Sequence, residues 1–271
     1  MLTTRLMSNE RFLISTVNDL SSRLHVKSAA MLVSLEGSLP RIMIWWFVAA
    51  MLASAARIAI SPIDGGLGLE TLLPYVLLVS APLLSMTLAL RWFQDGDRLA
   101  QPSSRLAFVG RWRNVDANEA RAHPLYGTTG IMVSLMIGML LNVPVRALEY
   151  LASMPAFAGD VPQWLSVLRF GLTLDVVLLS SLYTIAFVAA LRRVPLFPRL
   201  LAAIWAVDLV MQLAIAGAVA STDGLPGQVG DALHTLLDGN VKKVLISIGL
   251  WLPYLLLSKR VNVTFRHRVE A

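Results

Sequence analysis

The sequence predicts an all-α protein, a polytopic membrane bundle of six transmembrane helices with cytoplasmic N- and C-termini and an amphipathic N-terminal helix. Three observations predict it. Of 271 residues, 56% are hydrophobic and 15% charged, against about 45–50% and about 25% in a soluble domain. The apolar residues gather in six long, continuous runs, which read as helices because they do not alternate with period two. The basic residues fall in alternate connecting segments, as the positive-inside rule requires of a multi-pass chain.

A helix needs about 20 apolar residues to cross about 30 Å of hydrocarbon, and lipid offers no partner to a free backbone N–H, so only helices or closed barrels cross. The expected spans are 42–60, 71–90, 128–151, 164–191, 200–220 and 241–258. Trp45, Trp46, Trp92, Tyr150 and Trp164 lie near their expected ends, and Pro162 stands where a helix start favours it.

Orientation follows from Lys and Arg. Eighteen of them occupy the N-terminal segment (Arg5 to Arg41), the loop 91–127, the link at Arg192, Arg193 and Arg199, and the tail from Lys259 to Arg268. The opposite loops carry only Lys242 and Lys243. The basic segments, and with them both termini, are assigned to the cytoplasm. The net charge of +6 is thereby explained by topology and does not point to nucleic acid. No cysteine is present, which excludes disulfides, thiolate metal sites and thiol nucleophiles. No apolar stretch followed by a small-residue cleavage site precedes residue 42, so the first span is expected to act as an uncleaved signal anchor.

Four segments result. Residues 1–41 form a cytoplasmic or interfacial piece, in which Leu13, Val17, Leu20 and Leu24 recur at helical spacing among Asn18, Ser21, Ser22 and Arg23. That pattern suits a helix lying on the inner membrane surface or against the protein's own cytoplasmic face. Residues 42–90 form a two-helix hairpin. Residues 91–127 are a cytoplasmic loop, with a short helix expected over Asp116–Ala122 ahead of Pro124. There Phe108 and Trp112 among arginines suit either anionic headgroups or a solvated loop that only sets topology. Residues 128–271 hold four helices and a basic tail, with a short interfacial helix expected in the outer loop 221–240 before the last span.

Charged groups inside a bilayer cost about 2.5–3.5 kcal/mol each on insertion scales, so each asks for a reason. Arg57, Arg146, Glu149 and Arg169 fall toward the outer ends of their spans, and Asp175 and Asp208 fall deeper. Gly130, Ser134, Gly138, Asn142 and Arg146 recur every four residues, a spacing that lets helices approach closely. Asp208 and Gln212 share a face with Trp205, and Thr173, Ser180, Tyr183 and Thr184 add polar groups in the fourth span. Two readings follow for Arg57, Asn142, Arg146, Glu149, Arg169, Asp175, Asp208 and Gln212. One is an outward-open polar cavity, with arginines facing an anionic ligand and an aspartate carrying protons. The other is a set of interhelical ion pairs that hold the bundle together.

No catalytic motif is found. His25, His123, His234 and His267 lack second ligands at metal-site spacing, and no H-E-x-x-H, G-x-S-x-G or phosphate-binding P-loop occurs. The sequence leads us to expect no catalytic residue, no metal ligand and no cofactor. Expected partners are membrane lipids, through anionic headgroups at the cytoplasmic face, and a further membrane protein.

The C-terminal stretch holds Trp251, Pro253, Tyr254, Ser258, Arg260, Val261, Thr264 and Phe265 in a W-x-P-Y, S-x-R-V, T-F pattern. It resembles the closing signature of the bacterial membrane family catalogued as domain of unknown function 2569. The stretch from Leu191 to Arg199, with Pro195 and Pro198, resembles that family's link between middle helices. The resemblance covers residues 125–271 and leaves the first two spans outside the four-helix unit. The family's early Gly-Gly-Trp-Leu-like start has no counterpart near Tyr126. The resemblance implies a multi-pass protein of the bacterial inner membrane and no particular activity. Pro253 would free the Gly249 carbonyl and bend the last span, and Ser258 to Arg260 would anchor it at the interface. The function expected is that of a scaffold or accessory subunit binding lipid or protein partners. The alternatives are a carrier of a small anionic or proton-coupled solute and an intramembrane enzyme.

Overall fold

In a computed structural model, which describes residues 2–61, 68–103 and 110–271 with side chains from residue 26 onward, 78% of the chain is helical. Its helices are α1 (Leu2–Ala59), α2 (Leu69–Trp92), α3 (Ala117–Ala122), α4 (Ile131–Ser153), α5 (Gln163–Leu191), α6 (Phe197–Ala220), α7 (Gly227–Leu257) and α8 (Lys259–Arg266). The strands β1 (Trp112–Asn114) and β2 (Arg268–Glu270) form one small antiparallel pair. Six helices are long and apolar enough to cross a membrane: residues Val26–Ala59 of α1, then α2, α4, α5, α6 and α7. The chain is a multi-pass membrane protein with an all-α bundle.

The bundle is organised around α5, which packs against α2, α4 and α6. Its run Ala186 to Ala190 is fully buried, as is Ala89 on α2. Small side chains here let backbones approach, which is how helices associate where lipid removes the hydrophobic driving force. Gly171 does the same against α6: a Cβ there would lie 3.1 Å from Ile215. Two apolar clusters fill the interior. One, toward the basic end, includes Met86, Met136, Phe187, Phe197, Ile204 and Phe265. The other, toward the opposite end, includes Tyr75, Ala147, Leu172, Ile215 and Leu237.

Several expected boundaries move. No break separates the N-terminal segment from the first span, because α1 continues through Pro40. Leu32, Leu35 and Leu39 pack against the core, Arg192 pairs with Glu36 at 3.0 Å, and the Gly130 amide donates to the Ser28 hydroxyl at 2.7 Å. Residues 26–41 therefore lie on the protein's own end and not flat on the membrane. The expected stripe from Leu13 to Leu24 falls among residues whose side chains are not described, and Phe108 falls outside the described residues. The separate outer helix expected in 221–240 is instead the start of α7, whose 31 residues extend about 46 Å at 1.5 Å each. α3 begins at the Asp116 cap, whose carboxylate accepts from the Glu119 amide at 2.7 Å, satisfying an orphan N–H of the first turn.

The small-residue stripe of α4 is not a packing seam. Gly130 precedes the helix at φ 76°, Ser134 and Gly138 face outward, and a Cβ on Gly138 would meet nothing within 4 Å.

The tail does not merely stop at the interface. Ser258 caps α8 by accepting from the Val261 amide, and Val261, Val263, Thr264 and Phe265 are buried. Phe265 meets Phe197 with ring centroids 5.0 Å apart. Arg260 donates to the Thr129 hydroxyl at 2.8 Å and the Leu125 carbonyl at 3.2 Å. β2 then pairs with β1 in the register Arg113↔Val269. The tail and the loop 110–130 thus form one cap over the basic end, because alternate residues of α8 are apolar enough to be buried and the rest can bond the loop. Burial pulls the Arg260 guanidinium below its ordinary range. Burial, with Arg268 and Arg199 nearby, brings Arg266 down to about 10.

Candidate functional site

The polar side chains of the membrane interior meet between the two apolar clusters, drawn from four helices. On α4, Asn142 and Arg146 are one turn apart, and Arg146 Nε donates to Asn142 Oδ1 at 2.9 Å. On α5, Asp175 accepts from Arg146 Nη1 at 2.8 Å. On α6, Asp208 accepts from Arg146 Nη2 and, at 3.0 Å, from the Tyr183 hydroxyl. Gln212, one turn further, donates through Nε2 to Asp175 Oδ1 at 2.7 Å and Asp208 Oδ1 at 3.5 Å. On α7, Asn240 donates to Gln212 Oε1 at 3.2 Å. The Arg146 guanidinium also lies 5.8 Å from the centre of the Tyr183 ring.

The two aspartates are therefore bridged twice, by the guanidinium on one side and the Gln212 amide on the other. Asp208 is 0% exposed, Gln212 1%, Asp175 7% and Arg146 8%. A cluster this buried is tolerable in lipid only because nearly every donor and acceptor is matched. Its formal charges are not matched: one cation faces two carboxylates.

Glu149 and Lys243 pair across the mouth between α4 and α7, and Lys243 also reaches Asn240 Oδ1 at 3.3 Å. Two small cavities flank the cluster. One of about 20 Å³ touches Arg146, Glu149, Asp175 and Asn240, and one of about 40 Å³ touches Asn142, Arg146, Tyr183 and Lys243.

Arg57 and Arg169 are not part of this arrangement, and neither lines the two cavities beside Arg146 and Asp175. Arg57 donates through Nε to the Met154 carbonyl at 3.2 Å, at the end of α4, where a helix presents unbonded carbonyls and the negative end of its dipole. Arg169 stacks 4.6 Å from the Phe157 ring centre. Both clamp the outer connection 154–162, helped by the Thr71 hydroxyl on the Phe157 carbonyl at 3.2 Å. Sequence depth placed Arg57, Arg146 and Arg169 at one level, but the three helices turn them to different sides.

Two features escaped the sequence reading. Asn240 and Lys243 were assigned to an outer loop, yet their i, i+3 spacing just ahead of the span is the signal that they share a helix face. The second feature is an apolar groove of about 350 Å³ between α1, α2 and α4. Ile42, Trp45, Pro82, Met86, Leu140 and Pro144 line it. Its one polar side chain with a hydroxyl, Thr184, is already bonded to the Ser180 carbonyl at 2.7 Å. The signal was the pair of mid-span prolines, since each removes a helix hydrogen bond and bends its helix. Trp46 ties α1 to α2 one turn before Pro82 by donating its indole N–H to the Val79 carbonyl at 3.1 Å.

Among the described residues, no group of three or more His, Asp or Glu side chains is placed to hold a metal ion. No family model, curated protein or solved structure matches the chain.

Proposed function

We propose that the protein is a scaffold or accessory subunit of the bacterial inner membrane that binds phospholipid in the groove between α1, α2 and α4, with both termini in the cytoplasm. The groove carries this reading. Its size falls within the range of ligand sites, about 300–1,000 Å³, and its lining offers no free polar group to a solute. At its basic end Arg41 directly precedes Ile42, and Arg91 lies little more than a turn beyond Met86, both exposed. An acyl chain in the groove would set its phosphate beside these two arginines. Membership of the family catalogued as domain of unknown function 2569, suggested by the C-terminal pattern, belongs to the same proposal and agrees with it.

The carrier reading has less support. The voids beside the polar cluster hold about 20 and 40 Å³, room for single waters and not for a solute. An enzyme has no reactive constellation to rest on.

Native mass spectrometry of the protein released from mild detergent tests the lipid reading. Bound phospholipid is expected on the natural protein, with occupancy falling at least several-fold in Leu83→Trp or Leu141→Trp, which fill the groove. Equal occupancy in these variants would count against the groove. A photo-cross-linker at Trp45 that captured a protein in place of lipid would identify the occupant as a partner helix.

A further inference from the structure

We infer that the Arg146–Asp175–Asp208 cluster is a proton-binding site holding one exchangeable proton on its carboxylate pair, reached from the end opposite the basic cap through Glu149.

The charge count comes first. With both carboxylates ionised, one guanidinium leaves a net negative charge among apolar helices. An uncompensated buried charge is among the most costly things a membrane interior can hold. Among the described residues no other cation makes up the deficit. The charged groups that face the aspartates are Arg146 and Glu149 from α4 and Lys243 from α7; α5 and α6 add only Tyr183 and Gln212. Lys243 is engaged by Glu149 and so adds no net charge to the pair.

Hydrogen bonding leaves the pair room for one proton. Asp175 Oδ2 accepts from Arg146 at 2.8 Å and Asp175 Oδ1 from Gln212 at 2.7 Å. Asp208 Oδ2 accepts from both Arg146 and Tyr183. Asp208 Oδ1 has only the 3.5 Å contact with Gln212, at the limit of a hydrogen bond. The four oxygens are thus not all firmly held as acceptors.

The route follows from the voids. Asp208 is wholly enclosed, so the pair exchanges its proton at Asp175. Asp175 borders the cavity of about 20 Å³, and Glu149 borders the same cavity and carries its other face outward. That volume admits one water, with Asn240 and the two carboxylates as its partners. A proton arriving at Glu149 can move through that water to Asp175. Binding converts one carboxylate to a carboxylic acid and needs no further reactant.

Infrared spectroscopy of the full-length protein in lipid tests this directly. At neutral pH the spectrum is expected to contain the carbonyl stretch of one buried carboxylic acid, shifted by isotope-labelled aspartate and by D2O. The band should vanish in both Asp208→Asn and Asp175→Asn, because one Asp beside Arg146 is then charge-balanced. Glu149→Gln combined with Lys243→Met, which removes both charges of that ion pair and keeps the balance at the aspartates, should keep the band and slow its response to D2O several-fold. Absence of an aspartic acid band from the natural protein would overturn the proposal, and that measurement needs no variant to fold. A band persisting unchanged in both Asn variants would overturn it as well. An unchanged D2O response in the double variant would overturn the route.

Discussion

Thr264 holds Gly127 from both sides: its hydroxyl accepts from the Gly127 amide at 3.0 Å and donates to the Gly127 carbonyl at 3.2 Å. The two residues are 137 positions apart, and this double bond fastens the C-terminal helix to the entrance of α4. Gly127 sits at φ 109°, a conformation that side chains avoid, so the turn needs both glycine and an outside partner for its backbone. Thr264→Val keeps the shape and removes both bonds. A loss of about 1–3 kcal/mol is expected, the cost of stranding buried polar groups, together with faster protease cleavage in the loop 110–130. Thr264→Ser should behave as the natural protein in the same thermal and protease assays.

Removing Arg146 should do far more damage than removing either aspartate. Arg146→Met leaves two carboxylates buried without a cation, and breaking such a pair costs about 3–5 kcal/mol. Asp175→Asn and Asp208→Asn each leave one ion pair intact and should cost less. The triple variant, with Met and both Asn, should recover much of the loss of Arg146→Met. Melting of the detergent-solubilised protein, followed by size-exclusion chromatography, orders the variants. If Arg146→Met melted with the natural protein, the cluster would have no part in holding the bundle.

Glu149 and Lys243 form an ion pair that is half exposed on the lysine side, with side-chain exposures of 29% and 57%. Exposed pairs contribute about 0–1 kcal/mol. Lys243→Met should therefore leave the melting temperature almost unchanged. Because α7 is the least buried of the crossing helices together with α1, at 11%, the same variant should raise amide exchange in the first half of α7. Hydrogen-exchange mass spectrometry reads that difference directly.

Trp46→Phe keeps an aromatic ring against the groove and deletes the bond to the Val79 carbonyl. It should destabilise by about 0.5–1.5 kcal/mol. Pro82→Ala restores a helix donor to the Leu78 carbonyl and not to Val79, so the two changes should add to within about 0.5 kcal/mol. A double-mutant cycle on thermal stability measures their coupling.

What the residues alone determined was the solvent of this chain and its path through it. Six spans and their order follow from hydropathy, because crossing is a property of single helices against lipid. The Asp116 cap and the need of Asp175 and Asp208 for a partner were legible for the same reason: capping and burial costs are local. Partner choice was not local. Arg57, Arg146 and Arg169 lie at similar depth, and only the rotation of α1, α4 and α5 about one another decided that Arg146 meets the aspartates while Arg57 reaches the Met154 carbonyl and Arg169 the Phe157 ring. The same holds for Thr264 and Gly127, and for the groove between Pro82 and Pro144. Depth is written in one helix's hydropathy, whereas azimuth is settled only when helices pack.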